Sequence, residues 1–197
     1  RTAEYWPDDL FDEGVTFYFT PSYSTKLDGR PTTIALTGIY TTKSGVDFSE
    51  LSESFQQGLE PSTKEGSYSV GFQFSHLLHV DPANPRKGWG VHLKGAVSDG
   101  NPNYVQSSII AGLGGTGLFK GRELDSFGVG YFYYNLSDEL ENAISTEEEA
   151  YRDEQGAEVY YSFAVTPWFF VTGDLEYIAP PRKSLENAFI AGLRANI

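Results

Sequence analysis

The segment Glu158–Pro181, EVYYSFAVTPWFFVTGDLEYIAPP, decides the fold because its side chains alternate with a period of two residues. Apolar and aromatic side chains occupy one set of alternating positions on each side of Thr166-Pro167. The carboxylates of Glu158, Asp174 and Glu176 occupy the other set. Such alternation is typical of a β-strand whose two faces meet different environments. The short break at Thr166-Pro167 predicts a tight hairpin between two strands.

The same period continues through most of the chain and predicts nine strands of about 10–12 residues each. The Asp28-Gly29 pair is a turn signal between the first two runs. Pro21 has no backbone N–H to donate, so we expect the first run to end or bulge there. The nine predicted strands are Val15–Thr25, Thr32–Thr42, Ser67–Val80, Gly88–Asp99, Asn103–Gly114, Ser126–Ser137, Ala157–Val165, Trp168–Ala179 and Glu186–Ile197.

Strand length distinguishes a membrane protein from a soluble one. Strands of soluble sandwiches usually have about 5–6 residues, whereas tilted strands of about 9–11 residues cross a bilayer. Phe169 and Tyr177 lie near the two ends of one strand, as expected for the two aromatic girdles of a barrel. We therefore predict an all-β, antiparallel transmembrane β-barrel, in which rings face lipid and the carboxylates face a wet lumen.

Composition excludes several other classes of protein. The 197 residues suit one domain, which we assign to residues 1–197. A net charge of −13 argues against nucleic acid binding, and the absence of Cys excludes thiolate zinc sites and disulfides. No apolar run approaches the ~18–20 residues of a membrane helix. If the protein is exported, its signal peptide is missing from this sequence.

Loop lengths alternate along the chain and predict its topology. Lys43–Gly66 and Asp138–Gln155 are long and are expected outside the cell, whereas Thr166-Pro167 is expected in the periplasm. Asp47–Leu59 has helical spacing. A chain of nine strands that ends in the periplasm begins outside the cell. Single-chain bacterial barrels, however, have an even number of strands. We therefore expect a C-terminal part of a longer barrel with Arg1–Glu13 in an outer loop, unless one strand is missed or false.

The last third of the chain resembles a known family. The segments are LFKGRELDSFGVGYFYYNLS (Leu118–Ser137), the opening segment at Glu158–Pro181, and AFIAGLRANI at Ala188–Ile197. Together they resemble the carbohydrate-selective porins of the OprB type. The resemblance implies a sixteen-strand barrel in the bacterial outer membrane that passes sugars by facilitated diffusion. It implies contact with lipid and lipopolysaccharide, a possible homo-trimer, and no cofactor.

The candidate sugar-binding residues share the predicted lumen face of adjacent strands. They are Arg194, Glu176, Asp174 and Glu158, which offer charged hydrogen-bonding groups, and Tyr160, Phe132 and Tyr134, which offer ring faces for stacking. A simpler interpretation is that these charges only brace a wet wall, as in any porin. Lys94, His92 and Gln73 are weaker candidates on the same face.

Other chemistries have less support in the sequence. His76, His79 and His92 lack metal-binding spacing, so no metal site is expected. Glu158 and Glu176 lie within the range of a glycosidase pair, but nothing in the sequence raises either pKa, and no enzyme is predicted. The acidic run Ser145–Glu154 suits a solvated loop or cations that bridge lipopolysaccharide. Two alternatives to a sugar porin stay open: a soluble β-rich glycan-binding domain and a general non-selective channel.

Overall fold

The computed structural model of the protein describes residues 13–84 and 87–197, which form one antiparallel sheet of ten strands and two short helices. The expected outer loop at Arg1–Glu13 lies almost wholly outside the described residues. The elements are β1 (Thr16–Phe19), β2 (Ser22–Leu27), β3 (Arg30–Val46), α1 (Leu51–Gln57), β4 (Thr63–Val80), β5 (Gly88–Ser98), β6 (Val105–Thr116), β7 (Ser126–Leu136), α2 (Asp138–Ile144), β8 (Glu154–Thr166), β9 (Phe169–Ala179) and β10 (Ala188–Asn196).

Each strand pairs with its neighbour in sequence, so the sheet is an antiparallel meander from β3 to β10. At the start of the sheet, β1 and β2 both pair with β3. The first predicted run is divided at Pro21, as its missing N–H predicted, which makes ten strands rather than nine. The carbonyl of Pro21 still accepts a hydrogen bond from the Leu36 N–H at 3.0 Å. The described strands do not close into a barrel.

Two features of the loops differ from the sequence analysis. Strand β3 ends later and strand β4 begins earlier than predicted, so the link between them is 47–62 and not Lys43–Gly66. A bulge between Thr41 and Ser44 shifts the register, so the alternation of side chains does not continue through it. Helix α2 was not predicted. The Leu140 N–H donates to Ser137 Oγ at 3.2 Å, which caps the helix start. The expected helix within Asp47–Leu59 is present as α1. Neither helix in the described ranges is long and apolar enough to cross a membrane.

The two faces of the sheet have opposite character, and we name them by two adjacent residues. The outer face, on the side of Leu175, exposes large apolar side chains: Leu175 is 61% exposed and Leu193 is 79% exposed. The inner face, on the side of Glu176, buries polar groups, and Thr172 Oγ1 donates to Ser162 Oγ at 2.8 Å. Soluble proteins rarely expose so large an apolar surface, which instead matches the lipid band of a barrel.

Apolar packing in the described residues is concentrated in the loops rather than in the sheet. Phe48, Leu51 and Leu140 form a small buried cluster that joins α1 to α2. A soluble glycan-binding domain would instead pack the apolar faces of its strands on each other. The cluster also shows that the links 47–62 and 137–153 lie at one end of the sheet, which we name the loop end. The tight turn lies at Pro167-Trp168, one residue later than the predicted Thr166-Pro167, because Thr166 still pairs with Phe169. It lies at the opposite end of the sheet, the turn end.

The exposed outer face predicts that a charge at Leu175 opposes insertion into lipid. Leu175→Arg should cost roughly 2–4 kcal/mol of folding free energy if the residue lies near the bilayer midplane. The measurement is reversible denaturant unfolding of the protein in lipid vesicles. Glu176→Arg, one residue along on the inner face, is the matched control and should unfold with a much smaller change. Equal costs for the two variants would contradict the assignment of the faces.

The loop end is predicted to face the outside of the cell, and the absence of Cys makes this simple to test. A single cysteine at Glu148, in the link 137–153, should react with a membrane-impermeant maleimide on intact cells. A single cysteine at Pro167 should react only after the outer membrane is permeabilised. The reverse pattern would show that the sheet is inserted with the opposite orientation.

Candidate functional site

Register places the four predicted charged residues on the inner face. Glu158 lies directly opposite Glu176 across the β8–β9 ladder, and Asp174 lies opposite Tyr160. Arg194 pairs with Thr172 across the β9–β10 ladder. Because directly opposed residues point to the same side of a sheet, these side chains form one group, which we name the charged patch: Glu158, Asp174, Glu176 and Arg194.

One ion pair lies within the charged patch. Arg194 Nη2 is 3.8 Å from Asp174 Oδ1. The Arg194 side chain is 64% exposed, whereas that of Asp174 is 10% exposed. Gly192, opposite Asp174, leaves room for this carboxylate, because a Cβ at Gly192 would overlap it. Asp174 is therefore held against the wall while the Arg194 guanidinium extends toward the lumen. A pair at this distance and exposure contributes little stability.

Glu158 and Glu176 oppose each other directly, which is unfavourable for two carboxylates. Neither is within salt-bridge distance of a cation in the described part of the chain. Contact with water reduces their repulsion, because the high dielectric constant of water weakens the interaction between charges. The pair gives the wall a concentration of hydrogen-bond acceptors that suits hydroxyl donors.

The predicted aromatic residues lie along the wall beside the charged patch. The Tyr160 ring covers Gly128 and the Phe132 ring covers Gly156, since a Cβ at either glycine would overlap the ring. Tyr134 packs against Phe132 with ring centroids 5.1 Å apart. A glycine opposite each of the two covered rings thus lets the ring lie over the neighbouring strand. The three rings therefore lie side by side along the inner face.

The weaker candidates Lys94, His92 and Gln73 lie on the same inner face but across the sheet. His92 pairs with Gly112, three strands away from Glu158, so about 14 Å separates the two at the usual strand spacing. His76 faces outward instead, where its Nδ1 lies 2.8 Å from the Thr32 hydroxyl. No group of three metal-ligating side chains is found in residues 13–84 and 87–197.

Asn101 joins three links at the loop end, although no sequence pattern marks it as important. Its side chain is buried, and its Oδ1 accepts from the Phe48 N–H at 3.1 Å. Its Nδ2 donates to Asp47 at 2.8 Å and also to Glu139. Asp47 accepts hydrogen bonds from Asn101 and from Ser49. These bonds hold the pKa of Asp47 below its ordinary value, and the bond from Asn101 has the largest effect.

The turn end has its own set of hydrogen bonds, centred on Asp125, which we name the clamp. It lies in the part of the chain that resembles the family. Asp125 is buried and accepts hydrogen bonds from Arg122 at 2.6 and 2.7 Å, from the Tyr161 hydroxyl, and from the Ala164 N–H at 2.9 Å. Burial raises the pKa of Asp125, but these donors outweigh burial and lower it overall. The Arg122 guanidinium also lies 3.6 Å from the centre of the Phe163 ring. The clamp accounts for the length of the turn 117–125.

The sheet, its apolar outer face and its polar inner face together define the wall of an outer-membrane porin. The chain belongs to the carbohydrate-selective porin family OprB, whose sequence pattern matches residues 8–197. Members are channels rather than enzymes, and their location places the chain in the bacterial outer membrane.

The fold is similar to that of a solved structure, Pseudomonas putida OprB determined at high pH, with a TM-score of 0.82 and 22% sequence identity. The aligned region covers 93% of this chain and 48% of that structure, so this chain spans about half the length of the solved protein. A comparison with curated protein sequences finds no match.

The position of Asn101 predicts that its loss loosens all three links at the loop end. Asn101→Ala leaves the Phe48 N–H without its acceptor and two carboxylates without their shared donor, so we expect faster hydrogen exchange in 47–62 and 137–153. Breaking buried hydrogen bonds of this kind costs about 1–3 kcal/mol. Hydrogen exchange with mass spectrometry measures the effect.

Asn142→Ala, on the exposed side of α2, is the control and should exchange like the unchanged protein. The lowered pKa of Asp47 adds a second readout. Its stabilising contribution is present above the unfolded carboxyl value of about 3.9 and is lost as pH falls through the lower folded value. After correction for the slower intrinsic exchange at low pH, acid should therefore reduce protection in the unchanged protein more than in Asn101→Ala. Equal responses to acid in the unchanged protein and in Asn101→Ala would contradict the role assigned to Asn101.

Proposed function

We propose that the protein is a passive outer-membrane channel for carbohydrates, and that the charged patch contacts the sugar as it passes. Membership of the OprB family supports the substrate class. The observation that carries the role of the patch is its composition: an exposed guanidinium beside three carboxylates on the inner face. Sugars offer hydroxyls that both donate and accept, so such a mixed surface suits them better than a surface of one charge.

Aromatic rings beside the patch support the same proposal. Tyr160 lies directly opposite Asp174 and its ring lies over the wall, so an apolar sugar face is able to stack there while its hydroxyls reach the carboxylates. Water competes for every one of these contacts, and each hydrogen bond contributes only about 1 kcal/mol. Weak contacts of this size suit a channel, because a tightly bound solute leaves slowly.

A general, non-selective channel is the second candidate. The Arg194–Asp174 ion pair favours it, because such a pair braces the wall without binding any solute. Hydrolysis is a poorer match for the same carboxylates, since a glycosidase needs one carboxyl kept protonated at working pH and a site that excludes bulk water.

We also propose contacts with lipid, with lipopolysaccharide and with other copies of the protein. The exposed outer-face side chains of β10, Phe189 and Leu193, are placed to contact lipid. Lipopolysaccharide at the loop end and a homo-trimer are predictions that follow from the family and not from any contact in the described residues.

Arg194 separates the two candidate functions. If it contacts sugar, Arg194→Ala should weaken the block of single-channel current by D-glucose about fivefold, the equivalent of one hydrogen bond of about 1 kcal/mol. Arg194→Lys keeps the charge but not the planar fork of donors and should restore the block only in part. Current block and ion selectivity are measured on the same variants in planar bilayers.

Lys183→Ala removes an equal charge from an exposed link and serves as the control. In a general channel, Arg194→Ala would change ion selectivity and leave sugar block as it is in the unchanged protein. That outcome would remove Arg194 from the proposed sugar path.

A further inference from the structure

A cavity of about 390 Å³ lies on the inner face beside the charged patch, and we name it the glycine niche. Five glycines form its floor in two registered rows across β5, β6 and β7. Glu158 and Tyr160 border the niche on β8, and Ser75, Leu77 and His92 border it on the opposite side. The floor residues are Gly90, Gly114 and Gly128 in one row and Gly112 and Gly130 in the other.

The cavity is a direct consequence of where the glycines lie. Each lies on the inner face in register, so none of five neighbouring positions carries a side chain there. The Tyr160 ring covers one of them, Gly128, and a Cβ at Gly90 or Gly114 would overlap the backbone of the adjacent strand, so the space above the row depends on glycine. Its rims at His92 and Glu158 are three strand spacings apart, about 14 Å between backbones. A recess of this volume is within the usual size of small-molecule sites.

The chemistry of the niche matches one sugar ring. The floor offers backbone and Cα–H groups, which form a flat surface of low polarity. Tyr160, whose ring covers Gly128, adds an aromatic face at one edge. Glu158 adds a strong acceptor beside it, and Ser75 and His92 add further hydrogen-bonding groups at the opposite rim. A sugar ring has the complementary form, with an apolar face and a circumference of hydroxyls.

The charge at the edge of the niche favours an uncharged sugar over an acidic one. Among the described residues that line the niche, Glu158 is the one carboxylate, and Glu176 lies directly across the ladder from it. An anionic sugar placed in the niche would meet the Glu158 carboxylate, with that of Glu176 one strand farther on. An uncharged sugar would meet only acceptors that suit its hydroxyls.

We propose that the glycine niche is a binding subsite for a single uncharged sugar ring, held in the recess of the wall with its hydroxyls toward Glu158. The proposal rests on the proposed function, because it assumes that sugars pass along this face. It adds a site that shares only Glu158 with the charged patch, and a preference for neutral over acidic sugars.

Gly130 offers a direct test because a Cβ there meets only the Ala111 carbonyl oxygen, at 3.8 Å, so the wall accepts a side chain without strain. Gly130→Val should fill the recess and weaken the block of channel current by D-glucose at least about fivefold. Gly130→Ala should give a smaller loss. Gly173→Val is the matched control, because Gly173 lies on the outer face with nothing within 4 Å of an added Cβ.

The outcomes separate the niche from the function on which it rests. The niche is supported if D-glucose blocks the current of the unchanged protein and of Gly173→Val equally well but blocks that of Gly130→Val more weakly. Equal block in all three overturns the niche and leaves the sugar channel intact. No block of the unchanged protein by D-glucose overturns both proposals.

The charge preference has its own test, which also serves if Gly130→Val fails to insert. The unchanged protein should be blocked more strongly by D-glucose than by D-glucuronate. Glu158→Gln keeps the shape of the rim and removes its charge, so this ratio should fall about threefold to tenfold. Glu60→Gln removes an equal charge in the link 47–62 and should leave the ratio as it was. An unchanged ratio in Glu158→Gln overturns the proposal.

Discussion

The constraint on which the structure depends is that backbone groups facing lipid find no water to bond. Each N–H and C=O in the apolar layer must pair with another strand, so the chain runs as a continuous antiparallel ladder from β3 to β10. Pairing fixes the pleat, and the pleat assigns every side chain to one face. The exposure of Leu175 beside the partly buried Glu176 is a consequence of that backbone requirement.

The inner face is shaped by glycine as much as by its polar side chains. Where a glycine faces an aromatic ring or a carboxylate, the larger group lies against the wall, as Tyr160 does over Gly128 and Asp174 does beside Gly192. Where glycines face one another, the wall recedes, as it does between His92 and Glu158. The same residue type thus accommodates a larger neighbour in one place and forms a recess in another.

Sequence alone predicted the strands and both faces, because a period of two leaves a direct trace in the order of residues. It also predicted the break at Pro21 and the helix α1. It did not predict the role of Asn101, since three links that are distant in sequence meet there only after the sheet has formed. The glycine niche was missed for the same reason. Its rows appear only when the register of three strands is known, and single strands show merely frequent glycine.

The positions of the charged patch and the niche suggest how selectivity and passage coexist in one wall. Glu158 belongs to both and Tyr160 lies beside both, so on the proposed path a sugar that leaves the niche would meet the carboxylates of β9 before it loses contact with β8. Each contact is weak because water competes for it, and each step between contacts is short. A solute that exchanges one weak contact for the next meets no deep energy minimum, whereas a single strong site would slow its release. Adjacent weak sites therefore favour recognition without trapping.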